Sequence, residues 1–251
     1  MDVVDRSTGF PVGASVTLDD LTGYVHPHLA RLRANEPVSW LPSLDGWLVT
    51  GRDAALSVLR DADTFTVDDP RFSTARVVGP SMLSTDGDEH ARHRMPFAPP
   101  FRQAAVRDGF KAWTAGEARR LVTTVVDDSR ADLRAVLAGP LAVSVITRAL
   151  GLVGTDPARV LAWYRAIVAG VEGVNAGRDV GRDTRLAVAD LRRAVDRTVG
   201  ESAGSLLAEV AYEGSLTPDE VFSNTAVLMF GAIETSEGMT ANALAHLIGD
   251  P

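Results

Sequence analysis

From Asp219 to Ile248 the chain contains no proline and no turn signal, which makes this stretch its strongest structural constraint. Just ahead of it, Thr217-Pro218-Asp219-Glu220 offers a Thr N-cap, proline at the first helical position and Glu at the third, so capping box and helix dipole agree. Such a helix would be on the order of 45 Å long, enough to cross a whole domain, and the remaining elements have to be arranged around it. Residues 226–233 are almost wholly apolar, then Glu234-Thr235-Ser236 interrupts before Met239, Ala241 and Leu244 resume. Polar groups in that position are expected to be buried. A carboxylate buried without partners costs several kcal/mol or shifts its pKa strongly, so the site is either satisfied by a network or used. Gly231 lies one turn before Thr235, where a missing side chain lets another group approach the backbone. The same residues also fit a helix with an exposed polar stripe.

Upstream the pattern is mainly helical, with one small β-hairpin. Leu29 and Leu32 indicate a short amphipathic helix ending near residues 35–37. Val38-Ser39-Trp40-Leu41 and Trp47-Leu48-Val49-Thr50 are β-prone runs, and the intervening residues 42–46 have proline and Asp-Gly turn chemistry. Residues 53–59 have helical spacing. Residues 65–82 lack a period, contain Pro70 and Pro80, and read as an ordered loop. From Glu89 onward helices follow one another, with expected breaks at residues 96–100, 139–140, 151–157 and 214–215. The glycine- and charge-rich residues 171–185 read as a mobile connector.

Composition removes several function classes. The 251 residues, 45% of them hydrophobic, are enough for a substantial core. Lys and Arg total 25 against 33 Asp and Glu, and a formal charge of -8 repels a phosphate backbone, so no nucleic-acid partner is expected. The first residues lack the basic end and apolar run of a signal peptide, and no stretch reaches the roughly 18 apolar residues of a membrane span. A soluble, cytoplasmic protein without a membrane partner is the expectation. There is no cysteine, which excludes disulfides and thiolate metal sites from this chain.

A second polar cluster, Asp86-Gly87-Asp88-Glu89-His90-Ala91-Arg92-His93-Arg94, precedes Phe97 and Phe101-Arg102. On a helix His90 and Arg94 are four apart and project from one face, a two-donor clamp suited to carboxylate or phosphate. That spacing also fits a solvated basic face. A zinc site from His90 and His93 has less support, with no Cys to complete it.

These residues carry a family resemblance. Glu89-His90-Ala91-Arg92-His93-Arg94, with Phe101-Arg102 downstream, resembles the C-helix signature of the bacterial cytochromes P-450, haem-thiolate monooxygenases whose His and Arg bind the haem propionates. Met229-Phe230-Gly231-Ala232-Ile233-Glu234-Thr235-Ser236 resembles their I-helix motif, usually Ala-Gly-x-Glu/Asp-Thr-Thr. Gly231 and Ala232 stand in exchanged order and Ser236 replaces the second Thr, but small side chains are kept. The entry helix and the hairpin match the family in order and spacing. The resemblance implies a mainly α fold with a small β-hairpin or sheet, the fold of a cytochrome P-450 cut short, in one partial domain over residues 1–251. It implies that His90 and Arg94 neutralise haem propionates, and that Gly231 and Ala232 face the haem's distal side. Glu234 and Thr235 would assist proton delivery on the oxygen-binding side. Val78 and Met82 fall in the family's substrate-contacting loop. The implied cofactor is haem b, and the implied partners are a small-molecule substrate and a ferredoxin-type redox protein.

In this family a cysteine thiolate holds the iron. This chain carries none, and the Glu-x-x-Arg helix and Cys loop both belong after the I helix. An enzyme lineage represented by an incomplete chain, inactive alone, is therefore the expectation. The alternative is a haem-free homologue acting as an activator, for example of a glycosyltransferase. An unrelated helical interaction domain would make the two motifs coincidental.

Overall fold

The computed structural model describes residues 6–126, 130–152 and 154–249. Its internal contacts divide it into two compact units, residues 1–66 and 67–251.

In the first unit the described elements are α1 (Pro11–Ala14), α2 (His26–Asn35), β1 (Val38–Leu41), β2 (Gly46–Val49) and α3 (Arg52–Arg60). β1 and β2 pair antiparallel with Val38 opposite Val49 and Trp40 opposite Trp47. Asp45 closes the hairpin in the left-handed conformation that Asp tolerates. Val16, Leu32 and Leu41 form a small core. Glu36 holds α1 in place: its two carboxylate oxygens accept from the Val12 and Gly13 amides at 2.7 and 2.9 Å.

Among its described residues the second unit has helices and the turns that join them, and no strand. Its elements are α4 (Ser73–Val78), α5 (Gly87–Arg94), α6 (Gln103–Gly109), α7 (Lys111–Thr123), a π-helical turn (Arg134–Ala138), α8 (Gly139–Leu150), α9 (Pro157–Asn175), α10 (Arg182–Glu201), α11 (Leu206–Glu213) and α12 (Pro218–Gly249). The long helix exists over 32 residues, and its capping box is formed: Glu220 accepts from the Thr217 amide at 2.8 Å while Thr217 Oγ1 accepts from the Glu220 amide at 3.3 Å. α12 packs against α8, the π-turn, α4, α10 and α11, with Val221, Phe222, Ala226, Val227, Met229 and Ile233 buried. No described helix is long and apolar enough to cross a membrane.

Three local expectations are corrected. Residues 65–82 include α4, a helix too short to give a period, which ends at Gly79 with φ +94° just before Pro80. Gly139-Pro140 is a junction where α8 continues the π-turn, because proline is tolerated in the first turn of a helix. The connector shrinks to residues 176–181, since α9 runs to Asn175 and α10 begins at Arg182. Just upstream of that stretch Gly170 serves packing: a Cβ there would lie 2.4 Å from Thr184 Cγ2 of α10.

Candidate haem-facing site

The polar cluster of α5 splits between two sides. His90 is half-buried and its Nδ1 lies 2.8 Å from the carbonyl oxygen of Met82. A carbonyl only accepts, so Nδ1 carries the proton and Nε2 is turned away from the Met82 carbonyl. Arg94 is exposed and makes no ion pair among the described residues. It lines an open pocket of about 320 Å³ with Met82, Phe97, Phe101, Arg102 and Leu228 of α12. Two guanidinium groups thus border a pocket with otherwise apolar walls. His90 does not line it, but it bonds the backbone of a residue that does.

On the other side, Arg92 locks α5 to the start of α12. Its Nη2 donates to Glu89 Oε1 and Glu220 Oε1, each at 2.5 Å, and its Nη1 donates to the Ser215 carbonyl at 2.7 Å. The Arg92 hydrogen bonds outweigh burial and pull the Glu220 carboxyl down to about 2. The hydrogen bonds that Arg92 donates, first to Glu89 and then to Glu220, push its guanidinium still higher. His93 is buried beneath this pair, with Nε2 3.3 and 3.4 Å from the same two carboxylates.

The protonation of His93 follows from its neighbour. Asn224 Oδ1 accepts from the Met82 amide at 2.8 Å, which fixes its Nδ2 as the group facing His93 Nδ1 at 2.8 Å. His93 Nδ1 therefore accepts and Nε2 carries the proton toward the carboxylates. Among the described residues, ligand atoms of Glu89, His93 and Glu220 lie within 4.8 Å of one another, as metal ligands would. The Arg92 guanidinium already stands among them, 3.1 Å from His93 Nε2, and supplies the positive charge. His90 is not part of that group.

Farther along α12, Asn224, Leu228, Gly231 and Thr235 recur at intervals of three and four and share one helix stripe, with Ala232 at its edge four residues from Leu228. Ala232 is half-buried against the core, and Gly231 is exposed with open space where its Cβ would be. Thr235 Oγ1 donates to the Gly231 carbonyl. The expectation that Glu234-Thr235-Ser236 is buried is overturned: all three are exposed, because beyond Ile233 no described residue covers this face. The buried acid is Glu237, whose Oε1 accepts from Arg134 Nε at 2.8 Å. The sequence held a signal for it, since Ile233 and Glu237 are four apart and share the core-facing side. Nearby, burial first, then the charges of Glu234 and Glu237, push the Tyr164 phenol up to about 12.

Met82 and Val78 separate. Met82 lines the Arg94 pocket, whereas Val78 packs in the core and borders a different cavity with Phe222 and Ser223.

No family model matches the chain. Among curated proteins it is 28% identical over 250 residues to the cytochrome P-450 monooxygenase PikC of Streptomyces venezuelae, covering 92% of this chain and 58% of that protein. It is 31% identical over 268 residues to the nocardicin C N-oxygenase of Nocardia uniformis subsp. tsuyamanensis, covering 96% of this chain and 62% of that protein. The chain thus spans about three fifths of the length of these relatives. Among solved structures, CalO2 superposes with a TM-score of 0.74 at 23% identity, over 91% of this chain and 60% of that one. The testosterone complex of CYP109E1 from Bacillus megaterium superposes with a TM-score of 0.76 at 22% identity, over 90% of this chain and 61% of that one. Those two likenesses concern the fold, and the sequence matches carry the kinship. With sequence matches that cover more than nine tenths of this chain, the chain belongs to the bacterial cytochrome P-450 family.

Proposed function

We propose that the whole protein is a haem-dependent monooxygenase acting on a small organic molecule with electrons from a ferredoxin-type partner. The observation that carries this reading is Arg94, a cation without an ion pair among the described residues, at the rim of an apolar pocket walled by α12. An amphipathic plate with acidic edge groups suits such a pocket: the apolar body meets Met82, Phe97 and Leu228, and the acids meet Arg94 and Arg102. Haem with a cysteine thiolate on its iron supplies oxygen activation when bound. This chain has no cysteine, so it contributes the clamp and the oxygen-side helix but not the thiolate.

The chain's own residues divide the work. Arg94 and, as an imidazolium, His90 neutralise propionates. Gly231 and Ala232, one turn beyond Leu228, keep the stripe low enough for a flat ligand to lie against it. Thr235 is about 10 Å along the helix from Leu228 and holds a hydroxyl at the far end of the stripe, with Glu234 next to it as proton source. Met82 contacts ligand in the pocket, and Val78 supports the loop from behind.

Haemin titration of the full chain, followed by the Soret band and by tryptophan quenching, tests the clamp. Arg94→Ala should weaken binding by about 10-fold, as expected for losing a charge-assisted hydrogen bond. Undiminished affinity would remove Arg94 from the site. Reduced under carbon monoxide, the chain alone should give no thiolate-type Soret band. In the whole protein Thr235→Ala should leave haem content intact and divert reducing equivalents to peroxide. Unchanged coupling would show that Thr235 does not deliver protons.

A further inference from the structure

Asn224 is completely buried in α12, and three of the four hydrogen-bonding positions of its amide are filled. Oδ1 accepts from the Met82 amide at 2.8 Å, and Nδ2 donates to the Glu220 carbonyl at 2.7 Å and to His93 Nδ1 at 2.8 Å. A buried amide held in this way costs little but tolerates almost no displacement of any of its partners. Met82 is therefore held at its nitrogen by α12. At its carbonyl it accepts from His90 Nδ1. The turn that follows is fixed separately, by the Ser84 amide donating to the Ser81 carbonyl at 2.9 Å and by Ser84 Oγ accepting from the Ser81 amide at 3.0 Å. One residue thus relays the position of α12 to the imidazole of α5.

We propose that Asn224 is a positioning residue for His90: through Met82 it fixes Nδ1 as the ring's donor to the chain and sets the ring's aim, so that in the imidazolium the Nε2–H donates to the ligand's carboxylate from a set direction. This rests on the haem reading above for the identity of the ligand, but the aim of the ring is a property of the chain alone. Helical spacing places His90 near Arg94 without fixing the ring's rotation, and the Met82 carbonyl fixes it. That carbonyl is anchored from α12 through a hydrogen bond that crosses 142 residues of sequence.

The ring nitrogens of the haem-free full chain, observed by ¹⁵N NMR, give the first readout. In the wild type His90 should be protonated at Nδ1 and His93 at Nε2. In Asn224→Ala, His90 should move toward a mixture of tautomers. Asn224→Asp retains an acceptor for the Met82 amide but loses the donor facing His93, so His90 should keep its tautomer while His93 changes. That variant also carries the test if Asn224→Ala does not fold. Haemin affinity gives the second readout: Asn224→Ala should weaken binding about 2- to 10-fold, and His90→Ala with Asn224→Ala should be no weaker than His90→Ala alone. An unaltered His90 tautomer in a folded Asn224→Ala chain, or His90 following His93 in Asn224→Asp, overturns the proposal. If the tautomers respond as expected but Arg94→Ala binds haemin like wild type, the haem reading fails while the positioning of His90 stands.

Discussion

Glu220 serves two structures at once. One oxygen accepts the Thr217 amide that begins α12, and the other accepts from Arg92 of α5. Its depressed pKa means that the folded state holds the ionised form more tightly than the unfolded chain does. The stabilisation is therefore complete above the ordinary carboxylate value of 4.5 and is lost as pH falls toward about 2. Glu220→Gln keeps an acceptor for the cap but loses the charge. Urea unfolding across a pH series should show it less stable by roughly 1.5–3 kcal/mol at neutral pH, with a flatter acid limb. An acid limb as steep as the wild type's would mean that another carboxylate governs that region. The cap half of this residue was legible in Thr217-Pro218-Asp219-Glu220, because a cap is local. The Arg92 half was not, because the partner lies 128 residues away and nothing in the spacing of α5 distinguishes Arg92 from Arg94. For Glu234 the sequence left a buried network and an exposed stripe both open: helical periodicity identifies faces, but not which faces have neighbours.

At the scale of elements, glycine misled the reading where it sits inside a helix instead of at a turn. Gly173, within the stretch that reads as a connector, and Gly170 just before it both lie inside α9 and are buried. The two are not equivalent. Thr184, facing Gly170, is β-branched and donates to the Ala166 carbonyl at 3.0 Å, so it cannot yield easily. Gly170→Ala should cost about 1–3 kcal/mol through overpacking. A Cβ on Gly173 would meet only the Arg178 guanidinium at an ordinary 3.7 Å, so Gly173→Ala should gain roughly 0.5–1 kcal/mol from helix propensity. Thermal unfolding of the pair checks both signs, and equal effects would refute the contact argument. The hairpin and the long helix, by contrast, were readable to within a residue or so, since alternation, a proline turn and a capping box are all written in adjacent residues.

For the molecule as a whole, what the sequence conveyed best was order: a hairpin, a charge-rich α5, then a long α12 interrupted by small and polar residues. What it could not convey was closure, the pairing of segments far apart along the chain. Arg92 with Glu220 and Met82 with Asn224 fasten α5 and the α4–α5 loop to α12 across more than a hundred residues. Bringing such ends together costs on the order of 4 kcal/mol in chain entropy before any contact repays it. The capping box of α12 needs no such closure. The two roles of Glu220 therefore belong to different moments of folding: its cap can form while the chain is still open, and its Arg92 bridge only once the loop has shut. In stopped-flow refolding, Thr217→Ala should slow the folding limb, whereas Arg92→Ala should act chiefly by speeding unfolding. The long helix would then be a nucleus first and a fastening second, with one carboxylate timing the change.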